Sequence, residues 1–127
     1  MAESVVNMDE LIKNLDDESP FVMLNLLKFK SKEGHEAYKR YLANAQHKVE
    51  AVGGRAIYLG QPKELLQGEE TWDFIMLVEY PSRKAFLQMI REEAYQEIHK
   101  DRALGMERAV LYVTEPLKFS DVFGDSK

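Results

Sequence analysis

Phe21-Val22-Met23-Leu24-Asn25-Leu26-Leu27-Lys28-Phe29 is the stretch on which the fold turns. Apart from Asn25 and Lys28, every side chain in it is apolar. Alternation along a strand sends Val22, Leu24 and Leu26 to one face and Phe21, Met23, Leu27 and Phe29 to the other. Both faces are apolar, so the strand is expected to be covered on both sides, as a central strand is. Trp72 to Tyr80 reads the same way. Trp72, Phe74, Met76, Val78 and Tyr80 share one face, Ile75 and Leu77 hold the other, and Asp73 and Glu79 sit near its ends. Pro81 closes this strand and Ser82 is a natural helix N-cap.

Between the two strands, Glu33 to Val52 predicts a long helix. Tyr38, Tyr41, Leu42, Ala45, Val49 and Val52 keep helical spacing, which makes both tyrosines core residues. Gly53-Gly54 ends it, because glycine enters the left-handed region without steric cost. Arg55 to Leu59 follows as a short strand, and Gly60 to Thr71 as a polar connection. Beyond Ser82, the stripe Ala85, Phe86, Met89, Ile90 drifts through Ala94, Tyr95 and Ile98, predicting a break near Glu92. Gly105 is the expected stop, and Glu107 to Thr114 the last strand. Upstream, Met8, Leu11, Ile12 and Leu15 predict a short helix over 8–16, with Asn7 and Glu10 as a capping box. The tail 117–127 contains Phe119, Val122 and Phe123 and is expected to dock on the body.

After the N-terminal helix the order is β-α-β-β-α-β, the order of the ferredoxin-like α+β sandwich. One domain over 1–127 is expected, with its core at about 20–116 and strand order 4-1-3-2. That order makes the two doubly apolar strands central. Right-handed crossovers put both long helices on one sheet face. The other face is apolar too, and a bare apolar sheet is sticky. A second copy packed face to face, giving a homodimeric α/β barrel, covers it. The alternative cover is the N-terminal helix and tail of the same chain.

Composition narrows function. Lys and Arg total 17 against 22 Asp and Glu, a net charge of −5, which argues against nucleic-acid binding. The absence of cysteine removes disulfides, thiolate metal sites and thiol nucleophiles. Met1-Ala2-Glu3-Ser4 does not start an export signal, and no apolar run approaches membrane-spanning length. A cytoplasmic protein without membrane contact is the expectation. Phosphate loops, dinucleotide fingerprints and nucleophile-elbow serines are missing from the sequence.

The stretch Val22 to Phe29, the turn Val52-Gly53-Gly54-Arg55, and Trp72-Asp73 leading to Tyr80-Pro81-Ser82-Arg83 with Phe86 resemble the domain-of-unknown-function 1330 family. So do Tyr95, His99, Arg102 and Leu104 before the final strand. The resemblance covers about Pro20 to Pro116. It implies membership of the dimeric α/β-barrel superfamily, hence the ferredoxin-like fold and a dimer. It implies no agreed reaction. Superfamily members include small monooxygenases acting on aromatic polyketides, haem-degrading and haem-using enzymes, lactone isomerases, and barrels with no known catalysis.

Five residues stand out as site candidates. Asn25, a lone amide in an apolar strand, either faces a ligand or makes a structural hydrogen bond; unpaired, it would cost about 1–3 kcal/mol. Trp72 is a candidate pocket wall and Asp73 a candidate ligand contact, against an ordinary core aromatic beside an ion-paired carboxylate. His99 and Arg102, three apart on one helix, are the catalytic candidates. Imidazole titrates near neutrality and suits a base, and guanidinium would stabilise developing negative charge. The plainer reading is that both are cations favoured near a helix C-terminus. His35 and His47 do not converge, so no histidine metal site is expected. No cofactor is predicted, with haem ligation by His99 left open. Lys28, Lys30 and Lys32 read as a solvated strand end, Arg83-Lys84 as weak support for an anionic ligand group. Tyr58 and Tyr112 carry no specific signal. The expected function is binding of a hydrophobic small molecule, either as an enzyme of proton transfer or oxygenation or as a non-catalytic binding or structural dimer.

Overall fold

In the computed structural model, which describes residues 6–123, the central apolar stretch is β1, Phe21–Phe29. It lies between β3 (Phe74–Tyr80) and β4 (Met106–Thr114), antiparallel to both. β2 (Arg55–Gly60) pairs with the outer side of β3, giving the order β2-β3-β1-β4. That is the expected 4-1-3-2, and the two doubly apolar strands are the central ones.

Helices cover one face. Tyr38, Tyr41 and Ala45 of α2 (Lys32–Ala51), Phe86, Leu87 and Met89 of α3 (Arg83–Arg91) and Tyr95 of α4 (Glu93–Leu104) close over Phe21, Met23, Leu27, Phe29, Met76, Val78 and Tyr80. Local chemistry sets where each helix starts. Ser31 Oγ accepts the Gly34 N–H at 3.2 Å, and Ser82 Oγ accepts the Ala85 N–H at 3.1 Å. Gly53, at φ 87°, ends α2 in the left-handed region. Glu92 is extended (φ −69°, ψ 137°), so the expected break falls there and re-aims α4. Gly34 and Gly105 bring the start of α2 against the end of α4 so closely that a Cβ on either would strike the other's backbone. This approach lets the Lys30 N–H donate to the Gly105 carbonyl at 2.7 Å.

Three expectations need correction. The N-terminal helix α1 is only Asp9–Lys13, and Asn7 accepts the Asp9 N–H at 2.9 Å, so no capping box forms: Glu10 turns outward to Lys13 at 3.1 Å. β3 starts at Phe74, so Trp72 and Asp73 precede the strand. The tail forms the short helix α5 (Phe119–Phe123) without burying Phe119 or Val122, which are 80% and 62% exposed. Met1–Ser4, residues 124–127 and the Phe123 side chain lie outside the described residues.

α1 also sits on the helical side, with Leu11 buried in the core. None of α1 to α4 therefore lies on the opposite sheet face. Leu24, Leu26, Ile75, Leu77 and Val110 are partly exposed there, beside Tyr58 and Tyr112. No helix of the described residues is long and apolar enough to cross a membrane.

Candidate active site

Asn25 shares the β1 face of Met23 and Leu27, so its amide points toward the helices. His99 and Arg102 stand one turn apart on α4, the helix that the break at Glu92 lays over the same region. All three line one cavity of about 750 Å³ between the helical layer and the sheet. Its body is apolar, built by Met23, Leu42, Met76, Phe86 and Ile90. Gln46 and Glu50 of α2, Arg55 and Leu59 of β2 and Gln96 of α4 are among its exposed members and frame the mouth. The volume lies within the range of small-molecule sites.

Polar groups are few and under-used. Asn25 is 5% exposed, and its Nδ2 reaches the Met23 and Met76 carbonyls only at 3.4 Å each, the long limit of a hydrogen bond. No described residue donates to its Oδ1. The Tyr41 and Tyr95 hydroxyls bond each other at 2.7 Å. Next to them the Tyr38 hydroxyl, His99 Nδ1 and Arg102 Nη2 are buried without a hydrogen-bond partner among the described residues. Burial pushes the phenol pKa of Tyr38, Tyr41 and Tyr95 up, so all three stay neutral. Burial, and secondly the Arg102 charge, push His99 below its usual value, so the imidazole is neutral near pH 7. Neutral imidazole is the form that accepts a proton. The His99 ring lies 5.9 Å from that of Tyr95 and 6.4 Å from that of Tyr41.

Trp72 and Asp73 are not in this cavity. The Arg108 guanidinium covers the Trp72 ring at 4.5 Å while Arg108 donates to the Thr71 carbonyl at 2.9 Å. Asp73 accepts the Phe29 N–H at 2.9 Å and pairs with Lys28 at 3.7 Å. Both side chains fasten the end of the connection to β1 and β4. His35 stacks on Phe29 at 4.9 Å, His47 is exposed, and Arg83 is paired with Asp17 at 3.3 Å. No group of three or more His, Asp or Glu among the described residues is placed to hold a metal ion. Sequence reasoning read Tyr38 and Tyr41 as core packing and gave Tyr95 a place only on a helical stripe and in the family motif. The signal it passed over is three phenols where phenylalanine would fill the same space without a polar atom to satisfy.

The family described as a domain of unknown function, DUF1330, matches residues 24–116. The chain belongs to this family. The DUF1330 match takes in Asn25, His99 and Arg102 and most of the residues that line the cavity. Among solved structures, a protein of unknown function from Rhodopseudomonas palustris is 31% identical, covers 92% of this chain and 99% of its own, and has a TM-score of 0.83. A candidate antibiotic biosynthesis monooxygenase from Caulobacter crescentus shares the fold at 15% identity (TM-score 0.58, 80% of this chain and 92% of that one). A dimeric protein of unknown function with a ferredoxin-like fold from Bacteroides fragilis does so at 16% identity (TM-score 0.50, 76% and 96%). The DUF1330 chain thus has the ferredoxin-like fold. A comparison with curated proteins finds no match.

Proposed function

We propose that this protein is a homodimer that binds a hydrophobic small molecule in the cavity between sheet and helices, one site per subunit. The observation that carries the reading is an apolar cavity of about 750 Å³ with unpartnered polar atoms of His99 and Arg102 buried at it. Buried polar groups without partners cost about 1–3 kcal/mol each, and a bound ligand supplies the missing partners. Proton transfer is the chemistry best supported. His99 is neutral and takes the proton, Arg102 stabilises the charge left behind, and Asn25 positions the substrate through its amide.

Native mass spectrometry on freshly purified protein tests the binding reading. A dimer carrying added mass supports it and begins to identify the ligand. A dimer of bare mass whose stability no hydrophobic small molecule raises would reduce it to a structural dimer. With a substrate in hand, His99→Ala separates two roles. Turnover falling by about 10²–10⁴ with affinity retained marks a general base. Unchanged turnover removes His99 from the chemistry.

A further inference from the structure

We infer that the molecule held in the cavity is a hydrophobic monocarboxylic acid whose carboxylate pairs with Arg102. This rests on the cavity being a ligand site.

Arg102 is 8% exposed, yet among the described residues it forms no ion pair and its Nη2 has no hydrogen-bond partner. An arginine is always charged, and arginines are almost never fully buried unless paired. Every carboxylate nearby is engaged elsewhere or faces water. Asp101, its chain neighbour, pairs with Arg40 at 3.3 Å. Glu97 pairs with Lys100 at 3.0 Å on the surface. Glu50, at the mouth, is exposed and accepts from Gln46 at 3.3 Å. Burial keeps the neighbours Tyr38, Tyr41, Tyr95 and His99 neutral near pH 7. The inner wall of the cavity therefore holds one uncompensated positive charge and no negative one.

The shape of that deficit selects the ligand. A guanidinium offers a planar fork of N–H donors that matches a carboxylate in two parallel hydrogen bonds. One cation balances a monoanion. A phosphate dianion would leave a charge buried in apolar surroundings, and no glycine-rich or helix-start cradle of N–H groups lines this cavity. Beyond the charge the walls are Met23, Met76, Leu42, Phe86 and Ile90, which suit an aryl or alkyl body, and the two methionines adapt to its outline.

Matched pairs of probes test this by isothermal titration at pH 7.5: benzoate, cinnamate, indole-3-acetate and octanoate, each against its own primary amide. At least one acid is expected to bind ten times or more tighter than its amide. Arg102→Gln should abolish that preference, costing the acid at least ten times more affinity than it costs the amide. Arg102→Lys, which keeps the charge but loses the fork, should retain a reduced preference, and it serves if the glutamine variant does not fold. Acid and amide binding equally, or a preference that survives Arg102→Gln, would overturn the carboxylate assignment and leave the cavity reading standing. No binding of either member of any pair would overturn both.

Discussion

His99 and Arg102 show what one helical turn places together and what burial then does to it. The imidazole loses water on entering the cavity wall and gains the Arg102 charge beside it, so its protonated form is disfavoured in the folded state. The consequence for stability has a definite sign. Below pH 6.5 the unfolded chain binds a proton at His99 before the folded chain does. Stability is therefore full above about pH 6.5 and declines as the pH falls toward the lower folded value. An NMR titration should place the His99 midpoint below 6.5, and His99→Gln should flatten the part of the pH–stability curve in that window. A midpoint at or above 6.5 would contradict a desolvated imidazole. Asn25 makes the complementary point. Its long contacts to two carbonyls hold the side chain in place and leave Oδ1 free to accept from whatever occupies the cavity.

At the scale of elements, the site depends on where α4 is aimed. The extended Glu92 detaches α4 from α3, and the Gly34–Gly105 approach pins the far end of α4 to the start of α2. Between those two points the helix has no freedom to carry Tyr95, His99 and Arg102 away from the sheet. Gly105→Ala would push a methyl group into the backbone of Gly34. The expected cost is about 1–3 kcal/mol, typical of overpacking, read as a lower midpoint in urea denaturation. Since the strain falls where the far end of α4 is pinned, the same variant should weaken ligand binding although Gly105 does not line the cavity. An unchanged midpoint would mean the two segments separate without cost. β3 teaches a different lesson. Its apolar alternation continues back to Trp72, but the ladder starts at Phe74, because Asp73 turns its carboxylate to the Phe29 N–H and Trp72 goes under Arg108.

For the whole molecule, the decisive feature is the sheet face that none of α1 to α4 covers. Leu24, Leu26, Ile75, Leu77 and Val110 occupy its middle in register across three strands, with Tyr58 and Tyr112 to either side. A second copy placed on this face would bury apolar area on both partners and leave the ligand cavities on the outer sides of the two sheets, one per subunit. Leu26→Glu puts a charge in the centre of that surface without entering the helix-side core. Light scattering coupled to size exclusion should then report a monomer that keeps its helical circular dichroism. A variant that stays dimeric would move the interface elsewhere.

Much of this was legible in the residues themselves. Two strands with apolar side chains on both faces had to be central. Ser82 marked the start of α3, Gly53-Gly54 and Gly105 marked where α2 and α4 stop, and the drift of the stripe at Glu92 marked the break, whereas the Ser31 cap of α2 emerged only in the structure. Those features are local: they depend on periodicity, side-chain size and backbone freedom within a few residues. The identity of the site was not local. Strand alternation put Asn25 on the face of Met23 and Leu27, but only the packed structure showed that this face lies under the helices. Only there did His99 and Arg102 meet Asn25, while Trp72 and Asp73 turned to fasten a loop. The reason is physical. Whether a polar side chain is satisfied depends on groups brought to it by other elements, and Arg102 became a candidate anion site only once every nearby carboxylate was found committed elsewhere.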